Sequence, residues 1–227
     1  MPEPLKEKPR WAELVAFIAE WHTPLQPDDG YTPEDIASAE ERLGGPFPEA
    51  LRELYLLIGK REDLTRRQNR LRLLSELEWK DSFIDIWEEN QWVCFWSIAD
   101  EDWEQPDPAV SVLMDGEVVE DAPQGPLSEV ALLMVAEETV RAGNYCAGGF
   151  TSRANPQPEL IAAIMEWAKP APQKVLAENN FYALDDLLAY PSATELWIAA
   201  KDADRLQAAI EQIDQLSWSY ISTEDNG

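Results

Sequence analysis

The chain has 227 residues, ample for a sizeable core, and its ten Trp, six Tyr and six Phe exclude an intrinsically disordered chain. Forty-four Asp and Glu against 18 Lys and Arg give a net charge of −26. Such a field repels nucleic-acid phosphates and anionic lipid surfaces, so neither is expected as a partner. It favours a cationic protein partner, or serves only to keep the chain soluble. No apolar run approaches the ~20 residues that span a bilayer, and Met1–Arg10 is polar and proline-containing, with no apolar signal core. Cys94 and Cys146 sit in apolar company and read as small hydrophobes. Together these features point to a cytoplasmic protein.

The pass along the chain begins with Trp11–Trp21, where Trp11, Leu14, Val15, Ile18 and Trp21 recur at helical spacing. His22 closes this helix, where a cation would meet the negative dipole end favourably. Thr23–Gly30 reads as a loop. Thr32-Pro33-Glu34-Asp35 is a helix start, with a capping hydroxyl, Pro in the first position and two acids in the first turn. Ile36, Ala39 and Leu43 give that helix one face, and Gly44-Gly45 ends it. A second helix follows Phe47-Pro48, with Leu51, Leu54, Tyr55 and Ile58 as its buried stripe and Gly59 as its stop.

Charge then separates. Lys60–Arg72 holds Lys60, Arg61, Arg66, Arg67, Arg70 and Arg72 against Glu62 and Asp63. Asp81–Gly125 holds 13 acids and no Lys or Arg. The basic stretch reads either as an anion site or as an internal counterweight to the acidic segment. Leu71–Leu77 fits a strand or a short helix equally well. Ile84–Glu89 and Trp92–Ile98 read as strands around an Asn90-Gln91 turn. Both faces of the second strand are apolar, with Trp92, Cys94, Trp96 and Ile98 on one side, which predicts a central strand covered on both sides. Ala99–Pro108 is an acidic loop in which Trp103 is the aromatic residue expected to be partly exposed. Asp115-Gly116 is a strong hairpin signal between Val110–Met114 and Glu117–Glu120. Leu127–Ala142 is a helix and Gly143–Gly149 a glycine-rich loop. Beyond them, Pro158–Ala168 and Asp202–Ile213 read as helices. Val175–Ala177, Phe181–Leu184, Leu187–Ala189, Thr194–Ala199 and Trp218–Ile221 read as short strands. Helices before and after a block of hairpin-linked strands predict an α+β fold with a largely antiparallel sheet.

The sequence carries few signatures of catalytic or metal chemistry. One His and two separated Cys make no zinc site by themselves. The loop from Asp100 fails the calcium-hand register, with Gln105 at the sixth position and Ser111 at the twelfth. No phosphate loop, nucleophile elbow or dinucleotide fingerprint occurs. With 44 acids, some carboxylate pair falls at any chosen separation, so no pair is informative. A folded, aromatic-rich, acidic chain without catalytic signatures predicts a binding module with no catalytic residue, no cofactor and no metal.

Residues across most of the chain resemble the SUKH superfamily. They begin with Tyr31-Thr32-Pro33-Glu34-Asp35-Ile36, Glu40, Leu43, Pro46, Pro48, Leu51, Leu54, Tyr55 and Gly59. Glu88-Glu89-Asn90-Gln91 with Val93, Phe95, Trp96 and Ile98 is similar to that family's central hairpin, and Asp107-Pro108-Ala109-Val110 to its Asp-Pro-Pro-Val element. Phe181–Leu184 and Thr194–Ala200 take the place of its closing strands. The resemblance implies a curved antiparallel sheet flanked by helices. It implies a bacterial immunity protein that neutralises a toxin, often a nuclease; a fungal regulator of cell-wall synthesis shares the fold. The expected division is an N-terminal helical extension over residues 1–30, a SUKH-like domain over 31–222 and a polar tail over 223–227. The Lys60–Arg72 insert and the N-terminal helix depart from the family pattern. The surface expected to meet a basic toxin is Asp100, Glu101, Asp102, Trp103, Glu104 and Asp107. The alternative function is a regulatory or scaffold domain with an endogenous partner, which gene neighbourhood separates from an immunity protein.

Overall fold

The computed structural model describes Leu5, residues 7–120, Ala122 and residues 125–150, 173–176, 181–184, 186–192, 195–213 and 216–223. The expected helix at Pro158–Ala168 lies outside these residues. The chain divides into two compact units, Met1–Val135 and Ala136–Gly227, with the boundary inside one helix, α5 (Leu127–Ala142). The fold class is α+β, and every strand pairing among the described residues is antiparallel. The strands form two sheets, one of seven strands and one of six.

In the first unit, α1 (Ala12–Trp21) buries Leu14, Phe17 and Ile18. Helix α2 (Pro33–Leu43) starts at a reciprocal capping box: Asp35 N donates to Thr32 Oγ1 and Thr32 N donates to the Asp35 carboxylate. The Thr32 backbone N–H, and after it the Thr32 hydroxyl, hold the Asp35 carboxyl below its usual range. The helix stops at Gly44, whose φ of +87° is the left-handed conformation that glycine tolerates. Helix α3 (Glu49–Ile58) buries Leu51, Leu54, Tyr55, Leu57 and Ile58, and α4 (Glu62–Thr65) is a single turn.

The seven-stranded sheet runs β1 (Arg70–Leu71), β3 (Phe83–Glu88), β4 (Cys94–Ala99), β5 (Ala109–Met114), β6 (Glu117–Val118). Strand β2 (Trp79–Lys80) also pairs with β3, and β7 (Gly125–Pro126) with β5. Leu71–Leu77 holds both alternatives in turn, a strand end at Leu71 and a 3-10 turn at Leu74–Glu76. The Asp115-Gly116 turn has φ of +52° and +83°, the left-handed pair such a two-residue hairpin demands.

Two expectations fail in this sheet. Strand β4 is central, but Phe95 and Trp96 are only half-buried, whereas Ser97 and Ile98 are fully buried. Coverage therefore fades toward the strand's start. Trp92 is not in the strand at all. Trp92 N donates to Glu89 O (2.9 Å), so the residue closes the turn, with φ of +58° and 69 % exposure.

The second unit holds a sheet ordered β13 (Ser217–Thr223), β8 (Tyr145–Phe150), β12 (Glu195–Ala200), β11 (Leu187–Pro191), β10 (Phe181–Leu184), β9 (Gln173–Leu176). Helix α6 (Ala203–Gln212) lays Leu206 and Ala209 into a core with Ala147, Leu187, Leu196 and Ile198. The glycine-rich stretch expected as a loop is mostly strand β8. Its glycines are spacing elements: a Cβ on Gly148 would lie 2.7 Å from the Trp197 ring, and one on Gly149 would lie 2.9 Å from Trp218. Arg141 stacks on Trp197 at 4.9 Å and on Tyr190 at 5.8 Å.

Candidate functional site

The acidic loop after β4 and the turn after α2 meet in the first unit. Past Gly44, Gly45 N returns to Glu40 O (3.0 Å), and Phe47 N donates to the Glu40 carboxylate (2.7 Å). Arg52 also pairs with that carboxylate, so the Pro46–Pro48 segment is clamped from two sides. Opposite it, Asp100–Asp102 form one 3-10 turn that delivers Trp103. The Trp103 indole N–H donates to Pro46 O (3.0 Å), and its ring meets Phe47 and Trp79 edge-on at 5.9 and 5.1 Å. Pro106 O accepts from Ala50 N (2.8 Å) and from Arg10 (3.0 Å). Between the two segments lies an open groove of about 580 Å³, lined by Pro46, Phe47, Pro48, Trp79, Trp103 and Pro106 and flanked by Glu49 and Glu104.

The groove is apolar and aromatic, with an acidic border. Its lining contains no hydroxyl, thiol or imidazole side chain. Glu49 is held below the usual carboxylate range, first by the Lys8 hydrogen bond and then by that of Arg10. Its charge is thus matched locally. Glu104, Glu101 and Asp100 are exposed and Asp102 is half-exposed, so the loop presents a run of carboxylates beside the groove.

The structure brings together Trp103 and Glu104 as groove residues, with Asp100, Glu101 and Asp102 on the turn that leads to them. Trp103 is half-buried and serves as a wall of the groove, not as a projecting side chain. Asp107 stands apart. Its two carboxylate oxygens accept from Ser128 N (3.1 Å) and Ser128 Oγ (2.6 Å), and Leu127 N bonds Pro108 O. It therefore holds the first turn of α5, and its negative charge sits at the helix's positive end.

Part of the basic stretch is an internal counterweight, with Arg70 and Arg72 the residues that reach the acidic segment. Arg61 pairs with Asp29 (3.0 Å) and Asp63 (2.7 Å), and Lys60 lies over the Tyr31 ring. Arg70 bonds Glu76, and both Arg70 and Arg72 converge on Glu88, which is 2 % exposed. A buried carboxylate needs such partners. His22 differs from the sequence expectation: burial, the dominant cause, lowers its pKa to about 4, so at neutral pH it meets the helix end uncharged. Cys94 is half-buried and Cys146 buried, the Cys146 thiol donating to Gly143 O (3.2 Å). Among the described residues no helix is long and apolar enough to cross a membrane, and no His, Cys, Asp and Glu cluster has a metal-holding arrangement.

Trp79, Phe47 and Pro46 were not singled out as site residues. They lie 24 or more positions before Trp103, and only tertiary packing unites them. The model of the SMI1 / KNR4 family (SUKH-1) matches residues 30–162. The chain belongs to that family. No curated protein and no solved structure matches it. Membership makes this SUKH chain a protein-interaction module of a generally non-enzymatic family, and commonly such modules are immunity proteins. The match starts at Gly30, just before the capping box of α2, and ends before β9.

Proposed function

We propose that this SUKH protein is a cytoplasmic bacterial immunity protein that neutralises a toxin, a nuclease in the leading case, by covering its basic surface. The observation that carries the reading is the aromatic groove bordered by Asp100, Glu101, Asp102 and Glu104, within a 45-residue stretch free of Lys and Arg. An apolar, shaped centre with a charged rim is the usual anatomy of a specific interface. Nuclease surfaces that bind phosphates are basic, so a carboxylate-rim inhibitor gains encounter rate and competes with substrate for the same cations. Asp107 is left out of the contact surface, because its carboxylate is committed to the start of α5.

The test is association kinetics with the toxin domain encoded beside this gene, as a function of salt. Wild type is compared with a triple variant, Asp100→Asn, Asp102→Asn and Glu104→Gln, and with Trp103→Ala. The triple variant is expected to slow association about tenfold at low salt and to flatten its salt dependence. Trp103→Ala is expected to speed dissociation. Unchanged kinetics in both, or no binding by wild type, refutes the proposal.

A further inference from the structure

We propose a second docking surface at the opposite end of β4, centred on Trp92, which takes an arginine-bearing apolar strip of a cationic protein. The six-residue strand β4 separates the two sites, running from beside Trp92 to the turn that carries Trp103, about 20 Å at strand rise.

Three observations converge on Trp92. Among the described residues it is the most exposed of the large apolar side chains, at 69 %, and its neighbour Val93 (49 %) and Val118 (41 %) are also exposed. The register runs Glu88–Phe95–Leu113–Val118 across four strands, so Val118 shares one face of the sheet with Glu88. The Trp92 indole N–H donates to Glu88 (3.2 Å), which ties the ring to the same face. Met114 lies on the other face, paired with Glu117.

The backbone supplies the second argument. A left-handed residue closing a turn is ordinarily Gly, Asn or Asp, and a bulky side chain there is a strained outlier. Trp92 accepts that conformation and gains little burial from it. Strain retained at an exposed aromatic points to a use for the side chain.

Charge identifies the occupant. The cations on this face are already matched: Arg70 and Arg72 by Glu88, Lys80 by Asp85. Glu89 stands in the same turn as Trp92, Asp115 and Glu120 are exposed on the neighbouring hairpin, and the chain carries a net charge of −26. Glu89 is fixed there by the backbone N–H groups of Gln91 and Val93. An indole face beside carboxylates suits a guanidinium, which stacks on the ring while pairing with the acids. A second copy of this chain would bring like charge to the same place.

The experiment uses the full chain and short peptides of alternating Arg and Leu, with Lys-Leu and Glu-Leu peptides for comparison. Binding is followed by the indole N–H resonances, with that of Trp92 assigned by its loss in Trp92→Asn. Asn adopts the left-handed conformation readily, so the turn is preserved. The Arg-Leu peptide is expected to shift the Trp92 resonance and to bind more tightly than Lys-Leu. Trp92→Asn and Val118→Ser are each expected to weaken it at least fivefold. Met114→Ser, on the opposite face, is expected to leave it unchanged. Equal affinity for Trp92→Asn and wild type, no binding of Arg-Leu, or a wild-type dimer that Trp92→Asn dissociates would each overturn the assignment. None of these results bears on the Trp103 groove, so the toxin reading stands or falls separately.

Discussion

Glu53 is the residue whose loss reaches furthest through the first unit. It lies on α3 with 2 % exposure, yet it carries a carboxylate. One oxygen accepts from Trp11 Nε1 at 2.8 Å, Lys8 pairs with the other, and Arg10 Nε lies 3.5 Å away. Glu53 therefore pins the entry to α1 against α3. Breaking a buried pair by removing one partner typically costs about 3–5 kcal/mol, because a charge is stranded. Here the stranded groups are Lys8 and Arg10, about a third and a quarter exposed, and both keep Glu49. They rehydrate, so Glu53→Gln, which preserves an acceptor for Trp11, is expected to cost about 2 kcal/mol, the scale of one charged hydrogen bond. Glu53→Ala also orphans the fully buried Trp11 N–H and leaves a void, raising the cost to about 3–4 kcal/mol. Urea unfolding at neutral pH measures both, with an unchanged slope confirming the comparison. A cost below about 0.5 kcal/mol for Glu53→Gln, or identical costs for the two variants, would refute the account.

Other outcomes follow from single contacts. Asp107→Ala removes both acceptors for Ser128 at the start of α5 and is expected to cost about 1–2 kcal/mol in the same unfolding assay, while the mutation of exposed Asp100 to Ala costs little. His22 titrates near 4 when folded and near 6.5 when unfolded, so the unfolded chain takes up its proton first as pH falls. Its contribution is complete above about pH 6.5 and is lost toward pH 4, amounting to about 2 kcal/mol by pH 5. The difference in stability between wild type and His22→Gln, measured from pH 7.5 to 5, should show that slope, and a flat difference would contradict it. Gly30→Ala would place a Cβ 1.8 Å from Leu56 O, in backbone that cannot yield cheaply. A cost of at least about 3 kcal/mol, or failure to fold, is expected.

The parts of this chain that were legible are those whose signal is local. Thr32-Pro33-Glu34-Asp35 announces a helix because the capping groups lie three residues apart, and the box forms as written. Leu127–Ala142 keeps its bounds although its first turn is held from Asp107 and Pro108, far upstream, and Asp115-Gly116 turns where two left-handed residues are required. Glycine misled where its reason is distant. Gly148 and Gly149 read as a loop because nothing nearby in sequence reveals that Trp197 and Trp218 press on them. The basic stretch stayed ambiguous because its acidic partners Asp29 and Glu88 lie outside it.

Trp92 and Trp103 show the same limit at the candidate sites. By alternation Trp92 belonged to a strand, which the structure overturns, and by its loop Trp103 was the ring expected to be partly exposed, which its half-buried place matches. Their surroundings differ because Trp103 finds Pro46, Phe47 and Trp79, distant in sequence, while Trp92 bonds Glu88 through its indole and Glu89 through its backbone, both within its own turn. A Trp that reaches three distant groups becomes the wall of a groove. A Trp bonded within its own turn, in a backbone conformation that resists it, stays in solvent. In a chain whose acids from Asp81 to Gly125 face no Lys or Arg of their own segment, both arrangements offer the same combination, an aromatic surface beside carboxylates. A cationic partner long enough to follow β4 from end to end would engage both, and their linkage would then multiply two modest affinities through effective concentration.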